Sequence, residues 1–328
     1  MANDTTDPDV ISTENIGFSR RQDMYCRTGP EEGPPILATV SGPLINTISA
    51  IDKPIPSGLE INIKLVRNED QFIITDLSTS PVKTIYRLRI HKIEILLPTM
   101  VLNPRYQVDI DRIWLKNKIR YIFNRIEIES YILPDKVRNW QTNNLFGNKE
   151  TVPPLFCYWF QNQKRSQGDY RQSCQKFIVP GGKNTLETGP RLENYAFTVD
   201  NVNWGNYRSA FQTSTTNGVF QRHYQESLNN LRNYYGDEIP KMYFNDYKDW
   251  MFVTWVRTSV LPPNLNYFNM HTVEFPVLRN SLCRLEFEFN EPLDCQDDLL
   301  EIYIMGIYPS YMDIDNNRQI TTSYYATS

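Results

Sequence analysis

The sequence is short of most of what chemistry needs. Among 328 residues there are three histidines, His91, His223 and His271, and no two share metal-ligand spacing. The five cysteines, Cys26, Cys157, Cys174, Cys283 and Cys295, are odd in number and contain no C-x-x-C pair. That excludes a disulfide framework and reads as the reduced thiols of an intracellular protein. Cys295 stands in "DCQDD", where neighbouring carboxylates raise a thiol's pKa and oppose nucleophile chemistry. Basic charge is not in excess: 34 Lys and Arg against 38 Asp and Glu leave a net charge of −4. Direct nucleic-acid binding through this chain is therefore not expected. No apolar run approaches the ~20 residues of a membrane-spanning helix, and no secretory leader precedes the first strand signal. The sequon at Asn3 carries no weight without a secretory route.

Known site patterns fail in the same way. "GGKNT" at residues 181–185 has the Gly-Lys of a phosphate loop without its upstream glycine, and Asn184 stands where magnesium needs Ser or Thr. "DIDNN" opens like a calcium loop, but Arg318 occupies the glycine position and Tyr324 the glutamate position. The H-x-H pair with which cupin-type jelly-roll enzymes grip a metal is absent. Glu286 and Glu288 alternate on one strand face, the arrangement of a solvated or interface surface. No catalytic residue, metal site or cofactor is expected, and the chain reads as a non-enzyme.

What is present favours strands. Tyr (20) and Phe (16) are abundant, and Pro (21) outnumbers Gly (14). A chain this long buries roughly three-quarters of its unfolded surface. Two stretches look like copies of one phrase. In the first, Leu59, Ile61, Ile63 and Leu65 share a strand face, and a longer strand follows over residues 86–97. There the apolar parity flips near His91-Lys92, as a β-bulge would cause. In the second, Leu285, Phe287 and Phe289 share a face, and a longer strand follows over residues 299–308. Further strands are expected at residues 120–133, 155–162, within "QKFIVPGGKN", at 195–206 with a turn, and at 249–257, the last nearly all apolar and so expected to be central.

One segment has a helical period instead: Phe220, Tyr224, Leu228, Leu231 and Tyr235, opened by Thr215-Thr216-Asn217 and stopped at Gly236. A short helix near residues 110–118 is expected to link two units. Many short strands without alternating long helices exclude a parallel α/β fold and leave sandwiches and jelly rolls.

The order of several segments resembles the capsid proteins of Polinton/Maverick elements and adintoviruses. They are "GFSRRQDMY" (17–25), "PIPSGLEINIKLVRNEDQFII" (54–74), "YRLRIHKIEILLPTMVLNP" (86–104), "TNNLFG" (142–147), "VDNVNWGN" (199–206), "YQESLNNL" (224–231), "LRNSLCRLEFEFNEPL" and "LEIYIMGIYPSYMDIDNNRQI". The resemblance covers about residues 15–320. It implies the double jelly-roll lineage that includes adenovirus hexon, with two upright rolls per subunit and three subunits per pseudo-hexagonal capsomer. On that basis residues 1–16 are expected as a flexible arm, 17–104 as the C-terminal part of a first roll, 105–118 as a linker, 119–316 as a complete second roll with one inserted helix, and 317–328 as a tail. Family members carry a substantial stretch before "GFSRR", so the first roll is expected to be incomplete here and a separate chain to complete it.

The resemblance implies a DNA-virus structural protein that self-assembles, works in the virion with other capsid proteins, and is made inside the host cell. Trp204, Tyr234, Tyr235, Tyr267 and Phe268 are candidate subunit-interface residues, with core packing the competing role. A single jelly-roll vertex or minor capsid protein and a carbohydrate-binding β-sandwich fit the same pattern. A cupin-like enzyme fits it less well.

Overall fold

The structure is a computed structural model. It describes residues 54–56, 58–68, 70, 88–97, 99–147, 151–166, 192–203, 209–210, 218–235, 242–249, 252–258, 281–294 and 299–324. The strands are β1 (Ile119–Ile132), β2 (Asn139–Gln141), β3 (Leu155–Asn162), β4 (Leu192–Val199), β5 (Val202–Asn203), β6 (Ser209–Ala210), β7 (Thr254–Arg257), β8 (Cys283–Phe289), β9 (Leu300–Ile314) and β10 (Ile320–Tyr324). The helices are α1 (Pro104–Lys116), α2 (Gly218–Tyr235) and α3 (Phe244–Asp249), besides a single turn at Gln163–Ser166.

The wiring of these strands is specific. One sheet has the order β1-β9-β3-β7, with β10 also on β9; the other has the order β2-β8-β4-β5, with β6 also on β4. The first strand pairs with β9, the second with β8, the third with β7 and the fourth with β5 and β6, all antiparallel. Such nested pairing is one long hairpin rolled into two facing sheets, with β9 joining β3 and β8 joining β4 to close the roll. That is a jelly roll.

Burial explains why it holds. Leu285, Phe287 and Phe289 of β8 face the core, as their alternation with Arg284, Glu286 and Glu288 requires. They meet Phe156, Tyr158 and Phe160 of β3, Phe197 of β4, and Ile302 and Ile304 of β9 in one aromatic-rich cluster. Ring pairs such as Phe156–Phe197 at 5.0 Å and Tyr158–Phe287 at 5.3 Å cross between the sheets.

Several sequence expectations need correction. The two strands of the C-terminal phrase, β8 and β9, sit in opposite sheets and do not pair with each other. Residues 58–68 and 88–97 carry no ladder among the described residues, so the expected strands and bulge are not formed there. The two stretches meet instead through Asp70, which takes the Leu88 amide at 3.2 Å and pairs with Arg67.

The strand expected to be central, residues 249–257, carries β7, which is the last strand of its sheet, next to β3, among the described residues. Its backbone is served by α2: the Trp255 amide donates to Ser227 Oγ at 3.0 Å, and Asn230 donates to the Trp255 carbonyl at 2.9 Å. A covered edge tolerates an apolar strand that an open one would not. The linker helix starts at Pro104, earlier than expected, with Asn103 capping the Arg105 amide at 3.1 Å. The stretch expected as a tail carries β10, reached by a turn in which Asp315 Oδ1 accepts from the Asn317 and Gln319 amides. The strand expected within "QKFIVPGGKN" lies outside the described residues.

Candidate assembly surfaces

The side chains of the expected interface residues fall outside what the structure describes. Trp204, Tyr267 and Phe268 lie outside the described residues, and Tyr234 and Tyr235 end the backbone of α2 with their side chains outside them. Two of the segments that carry the family resemblance form turns and strand edges among the described residues. In "TNNLFG", Thr142 Oγ1 accepts from the Leu285 amide at 2.9 Å and Asn144 Oδ1 from the Cys283 amide at 3.2 Å, which extends the β2 edge along β8. Gly147 closes that turn, where a Cβ would meet the Asn144 amide group at 2.5 Å. In "VDNV", Asp200 and Asn201 both have positive φ, 52° and 65°, the two-residue hairpin turn that matches strand twist.

The buried titratable groups offer packing and no poised chemistry. His223, almost wholly buried under α2 with its ring 5.2 Å from that of Tyr195, is lowered to about 3, first by burial and then by Arg222 beside it. It is therefore neutral at ordinary pH. Burial pushes the Cys157 thiol far up; Cys283 is pushed up to about 12 by burial and the Asp200 carboxylate. Neither is a nucleophile at neutral pH. No group of three or more possible metal ligands occurs among the described residues, and none of their helices is long and apolar enough to cross a membrane. An open groove of about 530 Å³ runs beside the end of β1, lined by Tyr131, Trp140, Thr142, Asn143 and Glu301. In it the Tyr131 hydroxyl donates to Glu129 at 2.9 Å, and burial with that carboxylate raises the phenol.

What stands out is apolar surface left open. Residues directly opposite in adjacent strands share a face. In β1, Tyr131 and Glu129 oppose the core residues Ile302 and Ile304, so the odd positions point inward. The even positions, Ile126, Ile128 and Ile132, therefore point out, and they are 50%, 58% and 48% exposed. This strand is inverted, with glutamates on the inner side and isoleucines on the outer one. On the same outward face, Leu155, Cys157 and Ile307 of β3 and β9 are buried, so the exposure begins at β1. Apolar side chains are also open along the N-terminal segments, at Ile61, Ile63, Leu65, Ile90, Ile93 and Ile95. In α1 no residue is buried, and Tyr106, Ile110 and Ile113 form an open stripe one to two turns apart. Large apolar side chains left open in such number mark surfaces that bind other chains.

These open segments are held against the roll at defined points. The Tyr121 hydroxyl donates to the Pro54 carbonyl at 2.8 Å, and Gly58 packs against the Arg318 guanidinium so closely that a Cβ there would overlap it. Trp114 Nε1 donates to the Ile314 carbonyl at 3.4 Å. Next to it, Arg120 grips Asp313 with two bonds of 2.8 Å and lies 4.1 Å from the centre of the Tyr311 ring.

No family model matches the sequence, and no curated protein matches it. Among solved structures, similar chains occur in the Sputnik virophage (9% identity, 64% of this chain and 40% of that one, TM-score 0.37), the mavirus major capsid protein (11%, 64% and 42%, 0.34) and the PBCV-1 virus capsid (8%, 65% and 52%, 0.34). The matches span 40% to 52% of those chains.

Proposed function

We propose that this chain is a structural subunit of a virus capsid that works by shape and burial and carries out no reaction. The observation that carries the reading is a closed jelly roll flanked by uncovered apolar surface, on β1, on α1 and along residues 61–66 and 88–97. Burial against other subunits removes that surface from water, and a symmetric shell multiplies each small contact. The resemblance in segment order to Polinton/Maverick and adintovirus capsid proteins supports the same reading. On it, residues 119–316 are one roll and residues 17–104 the closing part of another. Three such subunits form a capsomer. Trp204, Tyr234, Tyr235, Tyr267 and Phe268 remain candidates for the contacts. The virion is the place of action. The experiment is expression of the chain alone and with its neighbouring reading frames, followed by negative-stain electron microscopy. Ordered trimers or shells are expected; a stable monomer under both conditions would contradict the proposal.

A further inference from the structure

The outward face of β1 has a second property besides its exposure. Read along the strand, its outward residues are Ile122, Asn124, Ile126, Ile128, Ser130 and Ile132. Read backwards, they give the same chemical order, because position 127 is a centre of symmetry. Ile122 answers Ile132, Asn124 answers Ser130, and Ile126 answers Ile128. An isologous interface needs this self-complementarity, since a two-fold axis sets each residue against its mirror position in the partner.

We propose that this face is a two-fold docking surface for a second copy of the same chain, with the two β1 strands facing each other and running antiparallel. In that arrangement Ile126 lies over Ile128 of the other copy, Ile122 over Ile132, and Asn124 beside Ser130. Every apolar group meets an apolar group, and each polar residue meets a polar one. Between Ile122 and Ile132 the face has no charged side chain to desolvate. Arg120, beyond one end, is held by Asp313, and Glu301, opposite Ile132 at the other, accepts from the Tyr303 hydroxyl at 2.9 Å. The carboxylates of Glu127 and Glu129 lie on the other side of the strand, away from the contact. Isoleucines that were outward for no internal reason thereby gain one.

The surface is small beside the ~800 Å² per partner of a stable complex, so the dimer is weak. Its use rests on the capsid reading, in which many copies are held together. The contact itself is a property of the free chain and is tested there. The full chain is examined by sedimentation over a wide concentration range, as wild type, as Ile126→Lys, as Ile128→Glu, and as an equimolar mixture of the two variants. Both substituted positions are at least half exposed, so the variants keep the near-ultraviolet circular dichroism of the wild type.

The expected result is a concentration-dependent dimer for wild type, loss of at least tenfold in association for each variant alone, and recovery in the mixture. There the introduced ammonium of one variant would stand over the introduced carboxylate of the other in one half of the interface. A wild type with no concentration-dependent mass overturns the inference, whether its own N-terminal segment or another polypeptide covers the face. So does a mixture no better than its components. Shells formed by a wild type that shows no dimer sink this inference and leave the capsid reading intact. A dimer without shells in any co-expression does the reverse.

Discussion

Asp313 shows how a single carboxylate fixes the base of the roll. Its side chain is nearly buried, and the two bonds from Arg120 hold its pKa below the usual carboxylate range despite the cost of burial. A carboxylate with a depressed native pKa contributes stability above its unfolded pKa, and loses it as pH falls through the folded value. Asp313→Asn should cost about 1–2 kcal/mol at pH 7, discounted because Arg120 is half exposed, and the deficit should vanish in acid. Denaturant midpoints at pH 7 and pH 3 measure both.

His223 behaves in the opposite sense. Buried neutral, it binds its proton more weakly in the native state than unfolded, so it costs nothing above pH ~6.5. Stability then falls as pH drops from there towards about 3. His223→Leu should flatten that part of the pH–stability curve, which thermal unfolding between pH 7 and pH 4 reads directly. His223 lies within the segment that the helical period marks out. Its depth was not legible there, because the helix turns the line His223–Ser227–Leu231 inward, one position away from the apolar series Tyr224–Leu228.

At the scale of elements, α2 serves β7 through polar side chains, and this is where hydrophobic periodicity has no voice. Ser227 accepts from the Trp255 amide and donates to the Val253 carbonyl at 3.2 Å. Ser227→Ala should cost about 1–2 kcal/mol, because it strands two backbone groups of an edge strand under the helix. Hydrogen exchange at the Trp255 amide should quicken while that of β9 stays unchanged.

Strands whose apolar residues face the core were readable from alternation alone. The expected span of residues 155–162 matches β3, and the Leu285–Phe287–Phe289 face of β8 is buried. The alternation in β1 was equally plain, but alternation does not say which side is inward. Only the pairing with Ile302 and Ile304 shows that the isoleucines face out. The β7 edge position was illegible for a related reason: its apolar composition comes from a helix lying over it, which the strand's own residues do not announce.

At the scale of the whole molecule, the nested pairing of β1 with β9, β2 with β8 and β3 with β7 ties the first strands of the roll to its last. Stability is therefore concentrated in long-range contacts. Truncating Leu285, which has no solvent exposure in the central strand β8, to Ala should cost about 2–5 kcal/mol and lower the unfolding temperature of the roll as one unit. Composition and strand spacing point to an all-β roll, but sheet order depends on which distant strands meet, and local pattern is silent on that. The internal repeat shows the same limit, since two similar phrases in sequence need not occupy similar places in space.

On the proposed function, the surface left open on this roll is covered by other capsid chains. Electron microscopy of the protein purified alone and co-expressed with its neighbouring reading frames tests it most directly. Three-fold capsomers or closed shells are expected in at least the second preparation. Particles that stay single and dispersed in both, while the roll itself melts cooperatively, would contradict it.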